Sequence, residues 1–107
     1  MPNGGDRNLT RLIIALTSFK AIHGHWPERV RLEQWYIDEF RTLLVDDGYR
    51  RLSEKVELVP YDDPKIRAED SQGASFTYGH DPTPEGSHAI SIEEWIGSLS
   101  YGGDGFD

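Results

Sequence analysis

The chain has no cysteine. That excludes disulfides, thiolate nucleophiles, cysteine-ligated zinc and iron-sulfur clusters, and leaves stability to packing and hydrogen bonding. It also fits a reducing compartment. Long apolar runs are missing too: nothing approaches the roughly 18 consecutive apolar residues of a membrane span, and Met1 to Asn8 lacks the apolar core of a signal peptide. A soluble cytoplasmic protein with no membrane attachment is the expectation. Positive charge is scarce, with 11 Lys and Arg against 19 Asp and Glu and a net charge of -8. Such a surface repels a phosphate backbone, so nucleic acid is disfavoured as a partner.

Signatures of chemistry are scarce as well. There is no G-x-S-x-G, no glycine-rich phosphate loop with Lys, no dinucleotide fingerprint and no H-E-x-x-H. Gly79 to Gly86 contains glycines but lacks the strand-to-helix context of a phosphate cradle. Carboxylates are paired at Asp46-Asp47, Asp62-Asp63 and Glu93-Glu94. Adjacent acids on a strand point to opposite faces, and in turns they act as caps or solvated corners, so adjacency supplies no acid-base pair. No catalytic residue, cofactor or metal site is assigned, and the balance leans away from an enzyme.

What the chain does have is bulk for one core. Its 107 residues are 36% hydrophobic, with three Trp, five Tyr and four Phe. That is enough for a single domain over 1–107 and too little for a second lobe. Residues 1–7 and 98–107 are rich in glycine and poor in apolar residues, so both are expected to be flexible tails.

Periodicity places the elements. Leu9, Leu12, Ile13, Leu16, Phe19 and Ile22 recur at steps of three and four, predicting a helix capped by Asn8 or Thr10 and ending at His23, with Arg11, Ser18 and Lys20 off its apolar stripe. Gly24 suits a left-handed stop, Pro27 forbids continuation, and Trp26 can fold back on the helix end. Arg29 to Glu33 then alternates as a strand with Val30 and Leu32 inward. From Gln34 a second helix turns Tyr36, Ile37, Phe40, Leu43 and Leu44 to the core; Asp46-Asp47-Gly48 interrupts it, and a short third helix follows through Tyr49 and Leu52.

Val56 to Pro60 reads as a strand, and Ile66 to Ala68 with Ser75 to Tyr78 as a hairpin closed near Gly73. Gly79 to His88 is an irregular loop. Ser91-Ile92-Glu93-Glu94 matches a capping box and predicts a short C-terminal helix with Ile92, Trp95 and Ile96 inward, ended by Gly97. The expected fold is α+β, a compact two-layer α/β sandwich. It has a small mixed sheet of about four strands with two main helices on one face and the short C-terminal helix. The first two strands can pair in parallel through the helical connection, and the hairpin extends the sheet antiparallel.

Three clusters qualify as candidate sites. His23 and His25 form an H-x-H pair, but an i, i+2 pair diverges on a helix, and a histidine in a last turn already suits the helix C-terminus. His80 and His88 read as solvated loop residues. Arg29, Arg31, Lys65 and Arg67 gather four cations on one sheet face, a seat for phosphate or carboxylate, although Glu33, Glu57 and Glu69 share that face and cross-strand pairing is the plainer reading. Trp35 flanks the core stripe of its helix, and with Tyr61 beside an acidic turn it defines an apolar patch with an acidic rim. The leading expectation is a non-enzymatic protein-binding or regulatory module that engages another protein through Trp35 and Tyr61. The alternatives are a small-molecule binder or enzyme for a phosphorylated or carboxylated ligand, using His23, His25 and the basic face, and a structural homo-oligomer built through its sheet.

Overall fold

The structure, a computed structural model, describes residues 5–102. It is an α+β fold whose four-stranded mixed sheet carries its helices on one face. In chain order the elements are α1 (Gly5–His23), β1 (Arg29–Leu32), α2 (Gln34–Leu43), α3 (Gly48–Lys55), β2 (Glu57–Pro60), β3 (Ile66–Glu69) and β4 (Ser75–Tyr78). Two 3-10 turns follow, at Glu85–Ala89 and Ile92–Glu94. The sheet order is β2-β1-β3-β4. β1 and β2 run parallel in a register that sets Val30 beside Leu58, and β3 pairs antiparallel with both β1 and β4.

Strand alternation decides the two faces. Val30, Leu32, Ile66, Ala68 and Phe76 are buried under α1 and α2, whereas Arg29, Arg31, Arg67 and Glu69 project from the opposite face. The core is one cluster in which Leu12, Leu16, Phe19, Phe40, Leu52 and Phe76 are fully buried. Truncating any of the three phenylalanines to Ala costs about 3–5 kcal/mol, comparable to much of a small domain's stability, so these side chains are assigned to folding.

α1 departs from its expected form at both ends. It starts at Gly5, so Asn8 lies inside it rather than capping it; the Asn8 amide instead donates to both carboxylate oxygens of Glu39 on α2, at 3.0 and 3.2 Å. At the other end Ile22 is half exposed, and the last turn directs His23 inward toward β4. Ser18, off the apolar stripe, is nonetheless fully buried, and the Glu85–Ala89 turn packs against α1 beside the sheet.

The flexible-tail expectation meets structure where it can be followed. Gly5 to Arg7 belong to α1. Ser98 to Gly102 return to the end of α2: Val45 N–H donates to the Ser100 carbonyl, Gly102 N–H donates to the Leu43 carbonyl, and Leu99 and Tyr101 pack against the core. The remainder of both tails lies outside the described residues. The capping box near Ser91 is replaced by a single 3-10 turn. The Ser91 side chain makes no cap bond, and Glu94 N–H donates to the Ser91 carbonyl. Gly97, at φ +96°, ends the turn at once, and Trp95 stacks on Trp26 with centroids 4.3 Å apart and planes 8° apart.

Candidate functional site

The joint after α1 brings both early histidines into structural bonds. Gly24 closes the helix at φ +83° with its N–H donating to the Lys20 carbonyl. Nε2 of His23 meets the Ser75 carbonyl at 3.2 Å, on the outer edge of β4. Nε2 of His25 meets Oδ2 of the buried Asp70 at 2.7 Å, and its Nδ1 lies 3.1 Å from the His23 carbonyl. Both ring nitrogens of His25 therefore face oxygen atoms. Asp70 also accepts from the Gln72 and Ala74 amides through Oδ1, closing the β3–β4 turn. The hydrogen bond from His25, helped by those two amides, outweighs burial and holds the Asp70 carboxyl below the usual carboxylate range. The imidazoles point at different partners with ring centroids 6.4 Å apart. No group of three or more His, Asp or Glu suited to a metal occurs among the described residues.

The basic face is brought together, and it converges on its own counter-ion. Arg29 and Arg31 both donate to Oε2 of Glu69, at 3.2 and 2.8 Å, and Arg67 lies 3.4 Å from Oε1. Burial pushes the Glu69 carboxyl up, but the bonds and charge of Arg31 and Arg29 together win and hold it below its ordinary range. Lys65 stands apart at the start of β3, where its N–H donates to Asp63. Three guanidiniums gather on one largely buried carboxylate, so these cations are engaged in cross-strand pairing on their own sheet face.

The chain itself bonds the outer edge of β4. Thr77 on β4 donates its N–H to the Asp81 carboxylate at 2.8 Å and accepts through its carbonyl from the His80 and Asp81 amides. Pro60, the last residue of β2, has no N–H to offer. The two edge ladders are therefore interrupted at Thr77 and at Pro60.

Trp35 and Tyr61 are 26 positions apart in sequence and line one groove. They are 48% and 45% exposed. An open depression of about 410 Å³ runs between the N-terminal turn of α2 and the end of β2, lined by Glu33, Gln34, Trp35, Pro60, Tyr61 and Asp62. Trp35 stacks on the buried Tyr36, with centroids 4.0 Å apart, and donates its indole N–H to Glu33 at 2.8 Å, which holds its ring in place. The Tyr61 main chain is tied to the sheet by its N–H bond to the Leu32 carbonyl at 2.8 Å, and the Arg31 guanidinium lies 5.6 Å from its ring centre. The lining carries two carboxylates and no cation. No family model, curated protein or solved structure matches this chain. The site is therefore read from its own geometry: two positioned aromatic faces, a negative rim, and hydrogen-bonding groups at Trp35, Tyr61 and Gln34.

Residues that sequence reasoning passed over are mostly organisers. Asp70 ties the hairpin turn to the α1–β1 joint, and its signal was present in the Asp-x-x-Gly turn of Asp70 to Gly73. Arg51 gave no signal. Its guanidinium donates to the carbonyls of Ile96, Asp46 and Ser98 at 2.8, 2.9 and 3.0 Å, fastening the C-terminal segment to the α2–α3 corner. That corner is built from Asp46 and Asp47, both left-handed at φ 58° and 64°. The Asp46-Asp47 pair therefore shapes backbone, whereas Asp62 joins the groove.

Proposed function

We propose that this protein is a non-enzymatic binding module that engages a partner protein through the Trp35–Tyr61 groove. The observation that carries this reading is the convergence of two half-exposed, positioned aromatic rings in one groove with an acidic rim. Tryptophan and tyrosine bury large area at small entropic cost and dominate the energetics of many interfaces. The Trp35 ring, already held by Tyr36 and Glu33, loses little freedom on binding, so more of its contact energy survives as affinity. The net charge of -8 accelerates encounter with a basic partner and slows it with an acidic one.

A randomised peptide library selected in parallel against the chain and against a Trp35→Ala/Tyr61→Ala double variant tests the reading. The expected result is a set of peptides that bind the chain, lose at least about tenfold against the double variant, and shift amide resonances of Glu33 to Trp35 and of Tyr61 and Asp62. Peptides that bind both proteins equally, or that shift resonances elsewhere, would overturn it. Both substitutions lie on exposed surface, so circular dichroism should confirm an unchanged fold.

A further inference from the structure

We infer that the groove takes a proline-rich segment in the polyproline II conformation with a basic residue beside it, an inference that rests on the interaction role proposed above. The known ways of holding a peptide make different demands. Strand addition needs a free ladder edge, but the outer edge of β4 is bonded by Asp81, His80 and His23, and β2 ends in Pro60. A docked amphipathic helix needs anchors over several turns. Here the exposed large apolar side chains on the groove are Trp35 and Tyr61, and the third on the described surface, Ile22, sits at the end of α1.

A polyproline II segment asks for less and matches what is present. It has three residues per turn and no internal hydrogen bonds, so its carbonyls stand free and its proline rings project in rows. Two exposed aromatic side chains lining one groove can receive such rings. The indole N–H of Trp35 and the hydroxyl of Tyr61 can donate to such carbonyls, while the Gln34 side-chain amide is engaged by Asp38 at 2.9 Å.

The bond between Trp35 and Glu33 gives the segment its second requirement. Glu33 accepts the indole N–H on an exposed surface, where exchange for a ligand carbonyl costs little. Once displaced, the Glu33 carboxylate is free to pair with a cation on the ligand, and Asp62 supplies a second negative charge on the same lining. Proline contact and basic charge are thereby coupled through one side chain. An acidic residue at the same ligand position meets two carboxylates and is rejected.

The test uses the full chain labelled for resonance assignment and three synthetic peptides: decaproline with a terminal arginine, decaproline with a terminal glutamate, and a glycine-serine decamer with a terminal arginine. The expected result is a dissociation constant of roughly 1 mM or tighter for the arginine-decaproline. Its shifts centre on the Trp35 indole N–H and on Pro60 to Asp62, and the other two peptides bind at least fivefold more weakly. Trp35→Ala should abolish the binding, and Glu33→Gln should erase the preference for arginine over glutamate while retaining the proline contact. Equal binding of the glycine-serine peptide would reduce the effect to charge and overturn the inference, as would shifts away from the groove or no binding by either decaproline. Should the library selection still return groove-binding peptides of another conformation, this inference alone falls and the interaction role stands.

Discussion

Replacing Arg51 with Ala should release the C-terminal segment and lower stability by about 2.5–3 kcal/mol. The figure follows from three bonds of unequal worth. The Nη1 bond to the Ile96 carbonyl is partly buried and charge-assisted, worth roughly 1.5–2 kcal/mol, while the two exposed Nη2 bonds to Asp46 and Ser98 contribute about 0.5 kcal/mol each. Urea denaturation gives the total, and hydrogen exchange shows where it arises: the Val45 and Gly102 amides, which bond Ser100 and Leu43, should lose protection before those of β1 and β3. Arg51→Lys should recover only part, because one ammonium nitrogen does not span carbonyls that two guanidinium nitrogens reach. Gly97→Ala probes the same contact from the other side. A Cβ there would lie 2.5 Å from Arg51 Nη1, on a backbone at φ +96°, so this change should cost about 1–3 kcal/mol alone and less in the Arg51→Ala background. Stability of Arg51→Ala within about 0.5 kcal/mol of the parent, with Val45 and Gly102 still protected, would refute the clamp.

Three further outcomes follow from single features. Gly24→Val should lower stability by about 1–2 kcal/mol through backbone strain alone, since nothing lies within 4 Å of the added Cβ. Gly24→Asn should recover most of the loss in a thermal melt, and an unchanged melting temperature for the Val variant would remove this account of the helix stop. Ser18→Ala should leave stability unchanged or raise it by up to about 1 kcal/mol, because the buried Ser18 hydroxyl has no hydrogen-bond partner among the described residues; clear destabilisation would reveal a bond that the geometry lacks. Asp70, Glu69 and Asp81 are all held below the usual carboxylate range, by His25 and two amides, by Arg31 and Arg29 against burial, and by the Thr77 amide and His80 respectively. Lowered folded values mean that their contribution is complete above the unfolded range, about pH 4 and higher, and is lost as pH falls through the folded values. Asp70→Asn should flatten that acid-side decline in urea titrations, and an identical slope would exclude Asp70 as a contributor.

Much of the fold was legible because periodicity and burial are two views of the same constraint. The i, i+3, i+4 recurrence through Leu9 to Phe19 and the alternation at Arg29 to Leu32 each specify which side must leave water, and the sheet and helices obey. Errors gathered where burial came from an element that the pattern could not foresee. Ser18 is interior although it lies off the apolar stripe, and Asn8 bridges to Glu39 because α2 passes there. The tail from Ser98 to Gly102 lacks apolar periodicity; backbone bonds to Leu43 and Val45, the packing of Leu99 and Tyr101, and the Arg51 fork place it instead.

The candidate site divides along the same line. Sequence alone determined that Trp35 would sit at the margin of an amphipathic stripe, that Tyr61 would neighbour an acidic turn, and that the two early histidines would diverge, because each follows from local geometry. Only the tertiary structure decided that the start of α2 and the end of β2 would stand side by side, that Glu69 would gather Arg29, Arg31 and Arg67, and that His23 would close a strand edge. Those outcomes depend on the β2-β1-β3-β4 strand order, and strand order is fixed by the summed burial of the whole chain rather than by any segment of it.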